Sequence, residues 1–199
     1  RTHNMIPTTI HHIAPADNKM LHPVWSKCFP SWTRHFPAPK FRHWMWNDQE
    51  MIDQIVSSEF PQYYHIYSNL MHIMKIDIAK MVILYVHGGM YVDMDYYCYT
   101  NFFEDLNNNV VLTGSVHPGE LVQNGMLSAV PRHPFILAHI EDMFQSIEAS
   151  HNDGTDTYVK ENTGPMSLSR AYYKMSEYHS DIEILDPEIY NPDIDVFYK

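Results

Sequence analysis

Cysteine is almost absent from the 199-residue chain, with only Cys28 and Cys98 present. Two thiols are too few for a disulfide framework and suit a reducing compartment, although one bridge between them is compatible with the count. No window approaches the roughly 18 apolar residues of a membrane span. The N-terminal Arg1-Thr2-His3-Asn4 lacks the apolar core of a signal peptide, and no Asn-x-Ser/Thr acceptor site occurs. These absences point to the cytoplasm. The chain does not begin with Met, however, and a removed N-terminal anchor would instead place it in the Golgi lumen. Basic residues are scarce: 13 Lys+Arg face 24 Asp+Glu, a net charge of −11. That balance excludes a general nucleic-acid binder, which needs a basic face for phosphates. Low-complexity runs are missing too, and 45% hydrophobic residues describe a folded globular protein. The length suits one domain, residues 1–199. The 14 histidines can shift the charge on mild acidification, although scattered histidines more often serve as surface or hydrogen-bonded core residues.

What is present is organised around the stretch from Asp77 to Asp95. Leu70, Ile73, Met74, Ile78, Met81, Val82 and Tyr85 recur at intervals of three and four, which predicts a helix with one apolar face. Gly88-Gly89 ends it, because a glycine past the last turn accepts the left-handed conformation and a second leaves room for a tight reversal. Met90, Tyr91 and Val92 then predict a short buried strand, with Asp93 and Asp95 where it stops. Two carboxylates two residues apart share one face of a continuing strand, and their repulsion calls for a counter-charge. Mg²⁺ or Mn²⁺ supplies one. Such hard ions take oxygen ligands and are commonly held by one or two carboxylates, with phosphates and water completing the shell. The implied ligand is a nucleotide diphosphate. An isolated Asp-x-Asp is more often an acidic surface turn; the helix and glycines ahead of this one favour the cation site.

This combination resembles the glycosyltransferases that carry a DXD sugar-binding region. That group includes the yeast initiation-specific mannosyltransferase and bacterial capsule enzymes, and shares its core with the large clostridial glucosylating toxins. The family opens the helix with Asp-Ile/Leu-x-Arg-Tyr and closes the unit with Gly-Gly-x-Tyr-x-Asp-x-Asp. Asp77, Gly88, Gly89, Tyr91, Asp93 and Asp95 match. Lys80 replaces the usual arginine and Met81 the usual tyrosine, so a positive charge is kept while a planar bidentate fork is lost.

Weaker matches run along the chain. Ile6, Pro7, Ile10, His11 and Ile13 fit the family's first strand, whose end lies against the nucleotide base, with Ala14 where tryptophan is common. The β-branched run itself predicts a buried strand, in which His11-His12 are either base-proximal or ordinary strand residues. Trp25, Cys28, Phe29 and Trp32 have helical spacing, but Pro30 predicts two short pieces. Lys40 to Trp46 reads as a second strand. Asn47-Asp48 and Glu50 start a helix with Met51, Ile52, Ile55 and Val56 facing inward, and Trp46 either borders the base pocket or packs in the core. Phe60 to Tyr67 predicts a short helical segment over the nucleotide region. Tyr96 to Tyr99 continue in extended form, Asn107 to Asn109 form a loop, and Val110 to Leu112 a strand. A strand Leu127 to Val130 follows the polar loop Asn124-Gly125, which is either a pocket wall or a surface turn. Phe135 to Ile147 predicts an amphipathic covering helix. Thr163-Gly164-Pro165, an element that borders the active site in the family, starts a last helix through Tyr173. Ile182 to Leu185 is a late strand, and Ile189-Tyr190-Asn191-Pro192 resembles the family's Phe-Tyr-Pro ending.

Strands alternating with helices predict an α/β protein with a mainly parallel sheet and ligands at the strands' carboxyl ends. The resemblance implies the GT-A nucleotide-sugar-binding fold. It also implies a metal-dependent, retaining glycosyltransferase that moves a sugar from a UDP- or GDP-sugar to a hydroxyl of a glycan or glycoprotein. Asp95 is then the direct ligand of Mn²⁺ or Mg²⁺, and Asp93 contacts the ribose or a metal-bound water. Asp77, the third catalytic candidate, orients the donor sugar with Lys80. The implied donor site is completed at the base end by His11, His12, Ile13 and Trp46, along the central unit by Gly89, Tyr91 and Met94, and at the far wall by Asn124, Gly125, Thr163 and Gly164. Relatives often add a later histidine or Ser-Trp pair, and neither is present by Lys199. Either phosphate and water complete the metal shell, or His87, His117 or His179 does, or the natural protein continues. Two other classes share Asp-x-Asp chemistry: a non-catalytic sugar-nucleotide-binding module, and a phosphatase of the haloacid dehalogenase type. Against the latter, the motif lies mid-chain and Tyr97 stands where Thr is usual.

Overall fold

Five strands running one way and a sixth running against them form the centre of the protein. The computed structural model describes residues 6–14 and 23–192. Along the chain come β1 (Thr9–Ile13), α1 (Pro23–His35), β2 (Arg42–Trp46), α2 (Gln49–Glu59), a 3₁₀ turn and α3 (Tyr64–Tyr67). Then follow α4 (His72–His87), β3 (Gly89–Val92), β4 (Val110–Gly114), β5 (Val122–Ala129), α5 (Pro134–Ala149), α6 (Asp156–Asn162), α7 (Pro165–Lys174), β6 (Ile182–Leu185) and α8 (Pro187–Tyr190). The sheet order is β2-β1-β3-β5-β4-β6. β1 pairs in parallel with β2 and β3, β4 with β6, and only β5 is antiparallel to its neighbours. The predicted mainly parallel α/β architecture is what the chain adopts.

Period-two alternation divides the sheet between two apolar layers. Tyr91, Val110, Leu112, Leu127 and Ala129 pack with α2, α4, α5 and α7. Met90, Val92, Val111 and Met126 face Trp32, Phe36 and Phe41 beside α1. Central α4 is buried from Asp77 to Leu84 on every side, not along one stripe. A helix enclosed by a sheet and two other helices has no solvent face to keep polar. Its predicted apolar face is accordingly wrong at the first turn, where Ile73 is 55% exposed. Met51 likewise faces outward from α2, while Ile52 and Val56 face in.

Two other expectations are corrected, and one helix had not been expected. α1 runs unbroken through Pro30; burial of Cys28, Ser31 and Trp32 outweighs the one backbone hydrogen bond that proline removes. β5 begins at Val122, so Asn124 and Gly125 lie within a strand and not in a loop before one. α6 had no apolar periodicity to predict it, since only Tyr158 and Asn162 of its residues are buried. No helix among the described residues is long and apolar enough to cross a membrane. Cys28 and Cys98 are both buried free thiols.

Candidate functional site

The site is built where β3 stops. Gly88 (φ 63°) and Gly89 (φ 108°) take backbone conformations that side chains rarely adopt. Gly88 caps α4, its N–H reaching the Leu84 carbonyl at 2.9 Å, but with extended ψ and not in the predicted left-handed helical form. Gly89 lets β3 lie directly against β1, because a side chain there would strike the Thr9 carbonyl. Three residues later the strand turns. The Asp93 N–H donates to the Gly125 carbonyl at 2.7 Å and the Tyr96 N–H to the Asp93 carbonyl at 3.2 Å. Asp93 and Asp95 therefore leave a turn, not a continuing strand, and both line a cleft of about 1080 Å³.

That cleft lies at the carboxyl ends of the co-directional strands. Its walls come from the segment after β3, the loop after β4, the start of β5 and the end of α8, together with Lys160 and Pro165. Ligands in open α/β sheets gather at this edge. Of the site residues singled out from sequence, Asp93, Asp95, Asn124, Gly125 and the alternative ligand His117 are brought together there. Gly125 is a close fit: a Cβ would come within 2.9 Å of Asp93 Oδ2 and 2.8 Å of the Tyr96 ring.

Beneath the floor sits a buried network that fixes Asp93. Tyr91 donates its hydroxyl to Asp93 Oδ1 at 2.6 Å, and Lys80 Nζ reaches the same oxygen at 3.4 Å. Lys80 also donates to the Asn124 carbonyl at 3.1 Å and lies 3.5 Å from Asp77 Oδ1. Asp77 accepts from Thr163 Oγ1 at 3.0 Å and from Asn124 Nδ2 at 3.3 Å. Burial alone lowers the pKa of Lys80, but the charges of Asp93 and Asp77 outweigh it and the net shift is upward. Burial pushes Asp77 up to about 6, with Lys80 and the Thr163 hydrogen bond pulling the other way. Burial and Asp93 hold the Tyr91 phenol well above its usual range, so it remains a donor. Asp77, Lys80, Tyr91 and Thr163 thus act on the cleft through other groups and form none of its surface.

The expected base-end residues are internal. Trp46 Nε1 donates to His11 Nδ1 at 3.1 Å, which leaves the hydrogen on Nε2 for the Gly88 carbonyl at 2.9 Å. His12 bonds His43 at 3.1 Å, and His43 in turn bonds the Phe36 carbonyl at 2.8 Å. Burial holds His11 at about 4 and His12 at about 3, so both are neutral at pH 7. Ile13 and Met94 are core residues, and Gly89 and Gly164 contribute close backbone packing. None of these lines the cleft among the described residues. The segment 60–67 also stands apart from it, with Tyr63 stacked on Phe144 at 4.6 Å.

Sequence reasoning missed much of the wall. Trp32, Phe102, Tyr190 and the run from Tyr96 to Tyr99 supply its aromatic surface, and Gln123, Glu120 and Lys160 its further polar groups. Three tyrosines in a non-periodic run just after the carboxylates were the available signal, since a segment with no helix or strand to pack leaves such rings for a pocket.

The donor set suits a hard divalent ion. Asp93 and Asp95, the two cleft carboxylates that follow β3, offer oxygen ligands. No cluster of three or more His, Cys, Asp or Glu side chains arranged for a metal occurs among the described residues. Such an ion would therefore draw most of its shell from phosphate and water. Of the candidate extra ligands, His117 lines the cleft. His87 instead packs on Trp44 and His179 on Tyr172.

Comparison with known proteins gives this geometry its relatives. The family described as glycosyltransferase sugar-binding region containing DXD motif matches residues 23–113. An uncharacterised glycosyltransferase, L373, of Acanthamoeba polyphaga mimivirus is 24% identical over 76% of this chain and 60% of its own length. Inositol phosphoceramide mannosyltransferase 1 of Schizosaccharomyces pombe is 24% identical over 98% of this chain and 60% of its own. Mannosyl phosphorylinositol ceramide synthase SUR1 of Saccharomyces cerevisiae is 26% identical over 76% and 40%. The chain thus spans between two fifths and three fifths of the length of these relatives. Among solved structures, PaToxG glycosyltransferase superposes with a TM-score of 0.67 at 14% identity, over 87% of this chain and 71% of that one. The UDP-bound glycosyltransferase domain of the YGT toxin gives 0.50 at 12% identity, over 78% and 54%. Residues 23–113 thus match the DXD-containing glycosyltransferase sugar-binding region, and the chain carries that match on a six-stranded fold similar to GT-A glycosyltransferase structures.

Proposed function

We propose that the protein is a metal-dependent transferase that moves a sugar from a nucleoside diphosphate sugar to a hydroxyl of a glycan, glycoprotein or glycolipid. The observation that carries this reading is the pair Asp93 and Asp95 at the mouth of a large cleft, with Asp93 held from below by Tyr91 and Lys80. Positioning a carboxylate through buried partners costs stability and makes sense where its orientation matters. The names of the two yeast relatives supply the glycolipid acceptor class, and the UDP-bound toxin domain supplies a uridine donor as a first probe.

When bound, a divalent ion supplies neutralisation of the charge that develops on the departing diphosphate. Asp95 would hold it directly, and Asp93 would contact it through water or take the ribose. The absence of a side chain at Gly125 keeps the wall beside Asp93 thin enough for a donor to approach. In the retaining reaction the acceptor oxygen bonds the anomeric carbon as the bond to the phosphate oxygen breaks. The electron pair stays on that phosphate, which takes the acceptor's proton, so no side chain is needed as a general base.

The test is a panel of UDP- and GDP-sugars incubated with Mn²⁺, with and without chelator, against glycan, glycoprotein and inositol phosphoceramide acceptors. We expect metal-dependent release of nucleoside diphosphate and labelled sugar on one acceptor class. Donor binding without turnover across the whole panel would instead indicate a binding module. Phosphate release from simple esters alone would indicate a phosphatase.

A further inference from the structure

The cleft is short of positive charge. Asp93, Asp95, Asp105 and Glu120 line it, while Lys160 is the one lysine or arginine to do so among the described residues. A nucleoside diphosphate would bring two or more further negative charges to a chain of net charge −11. A single divalent ion leaves that balance negative. Lys80, at the position where the family carries arginine, does not make up the deficit. It is 3% exposed and already lies within 3.5 Å of Asp77 and 3.4 Å of Asp93.

Lys160 is placed differently. It is exposed in the last turn of α6, and among the described residues its side chain makes no hydrogen bond or ion pair. Its backbone is nonetheless held in register with the site. Gly164 packs so closely that a Cβ there would come within 2.8 Å of Lys160 Cα. The adjoining Thr163 bonds Asp77, which bonds Asn124 of the cleft wall. A rigid backbone with an uncommitted ammonium at its tip is suited to an anion that arrives and leaves.

We infer that Lys160 is the phosphate-binding cation of this site, its ammonium contacting the diphosphate of the donor and remaining with the diphosphate as it departs. This rests on the nucleotide-sugar reading above. Lysine suits the task as a mobile point charge on a long stem.

Calorimetric titration of the full chain with UDP and GDP in Mn²⁺ tests it, with uridine and guanosine as phosphate-free controls. For whichever diphosphate the native protein binds, Lys160→Met is expected to weaken affinity about 10-fold or more, because a charge-assisted contact is lost. Nucleoside affinity should stay the same. Lys160→Arg should largely restore diphosphate binding, and Lys40→Met, which removes a charge outside the cleft, should do nothing. A melting curve for each variant checks folding. Diphosphate affinity in Lys160→Met equal to that of the native protein would overturn the assignment while leaving the donor reading intact. Failure of the native protein to bind either diphosphate would overturn both.

Discussion

Asp93 is held on three sides: by a tyrosine hydroxyl, by a buried lysine and by the missing side chain of Gly125. The first two were visible in the sequence as a spacing, Asp77, Lys80, Tyr91 and Asp93, and the third as an Asn-Gly pair. Their relation was not visible, because it depends on β5 running back beside the turn after β3. Gly125→Ala would push a methyl group to 2.9 Å from Asp93 Oδ2. We expect metal-dependent turnover to fall about 10-fold or more from displacement of that carboxylate, with the melting temperature only a few degrees lower; a steady-state assay beside a thermal melt separates the two. The histidines also act one residue at a time. His11, His12 and His139 are buried and neutral, with pKa values of about 4, 3 and 4. Each sits below the unfolded value of 6.5, so the unfolded chain binds the extra proton first, and stability present above pH 6.5 is lost as pH falls toward 4. Each histidine contributes about 1.4 kcal/mol per pH unit in that window. Asp77 acts oppositely, gaining a proton in the folded state near pH 6. The net expectation is a steep loss of stability between pH 6.5 and 4, read by urea unfolding at several pH values, with a shallower slope in His139→Gln.

Elements were legible in proportion to how fully local pattern decides them. β1, β3, β4, β6, α5 and α7 follow from β-branched runs, glycine stops and three-four spacing. α6 and the first half of β5 do not, since their stability comes from neighbours: Ser169 of α7 reaches the Val122 N–H at 3.2 Å, and Gln123 turns back on the Gly125 N–H. Pro30 misled for the same reason, tertiary burial overriding a local break. The α4–β3 junction shows local and tertiary demands agreeing. Gly89 has φ 108° and no room for a Cβ against the Thr9 carbonyl. Gly89→Ala should cost about 1–3 kcal/mol from backbone conformation alone, with the clash against β1 adding to it. A lowered urea midpoint with unchanged slope is the expected outcome, and wild-type stability would show that β1 and β3 can separate freely.

At the scale of the molecule, the sheet gathers its ligand-facing loops at one edge, and the two aspartates lie there. The architecture and the family resemblance were readable from the central helix-glycine-strand unit, because its glycines require a close crossing and its two carboxylates follow the strand at the family's spacing. The aromatic and lysine-bearing walls were not, since loops carry no periodicity to betray which of them meet. On the proposed function the acidic balance of the chain would make a bound cation more consequential, for a nucleotide diphosphate entering a cleft with four carboxylates would need positive charge from somewhere. Turnover of a UDP- or GDP-sugar in Mn²⁺ by native protein and by Asp95→Asn, compared at equal folded concentration, goes to the heart of this. The substitution keeps the shape of the side chain and removes its charge. A fall of about 100-fold or more with folding intact is expected; turnover equal to native, at the same Mn²⁺ dependence, would mean that Asp95 holds no metal and that the cleft works in some other way.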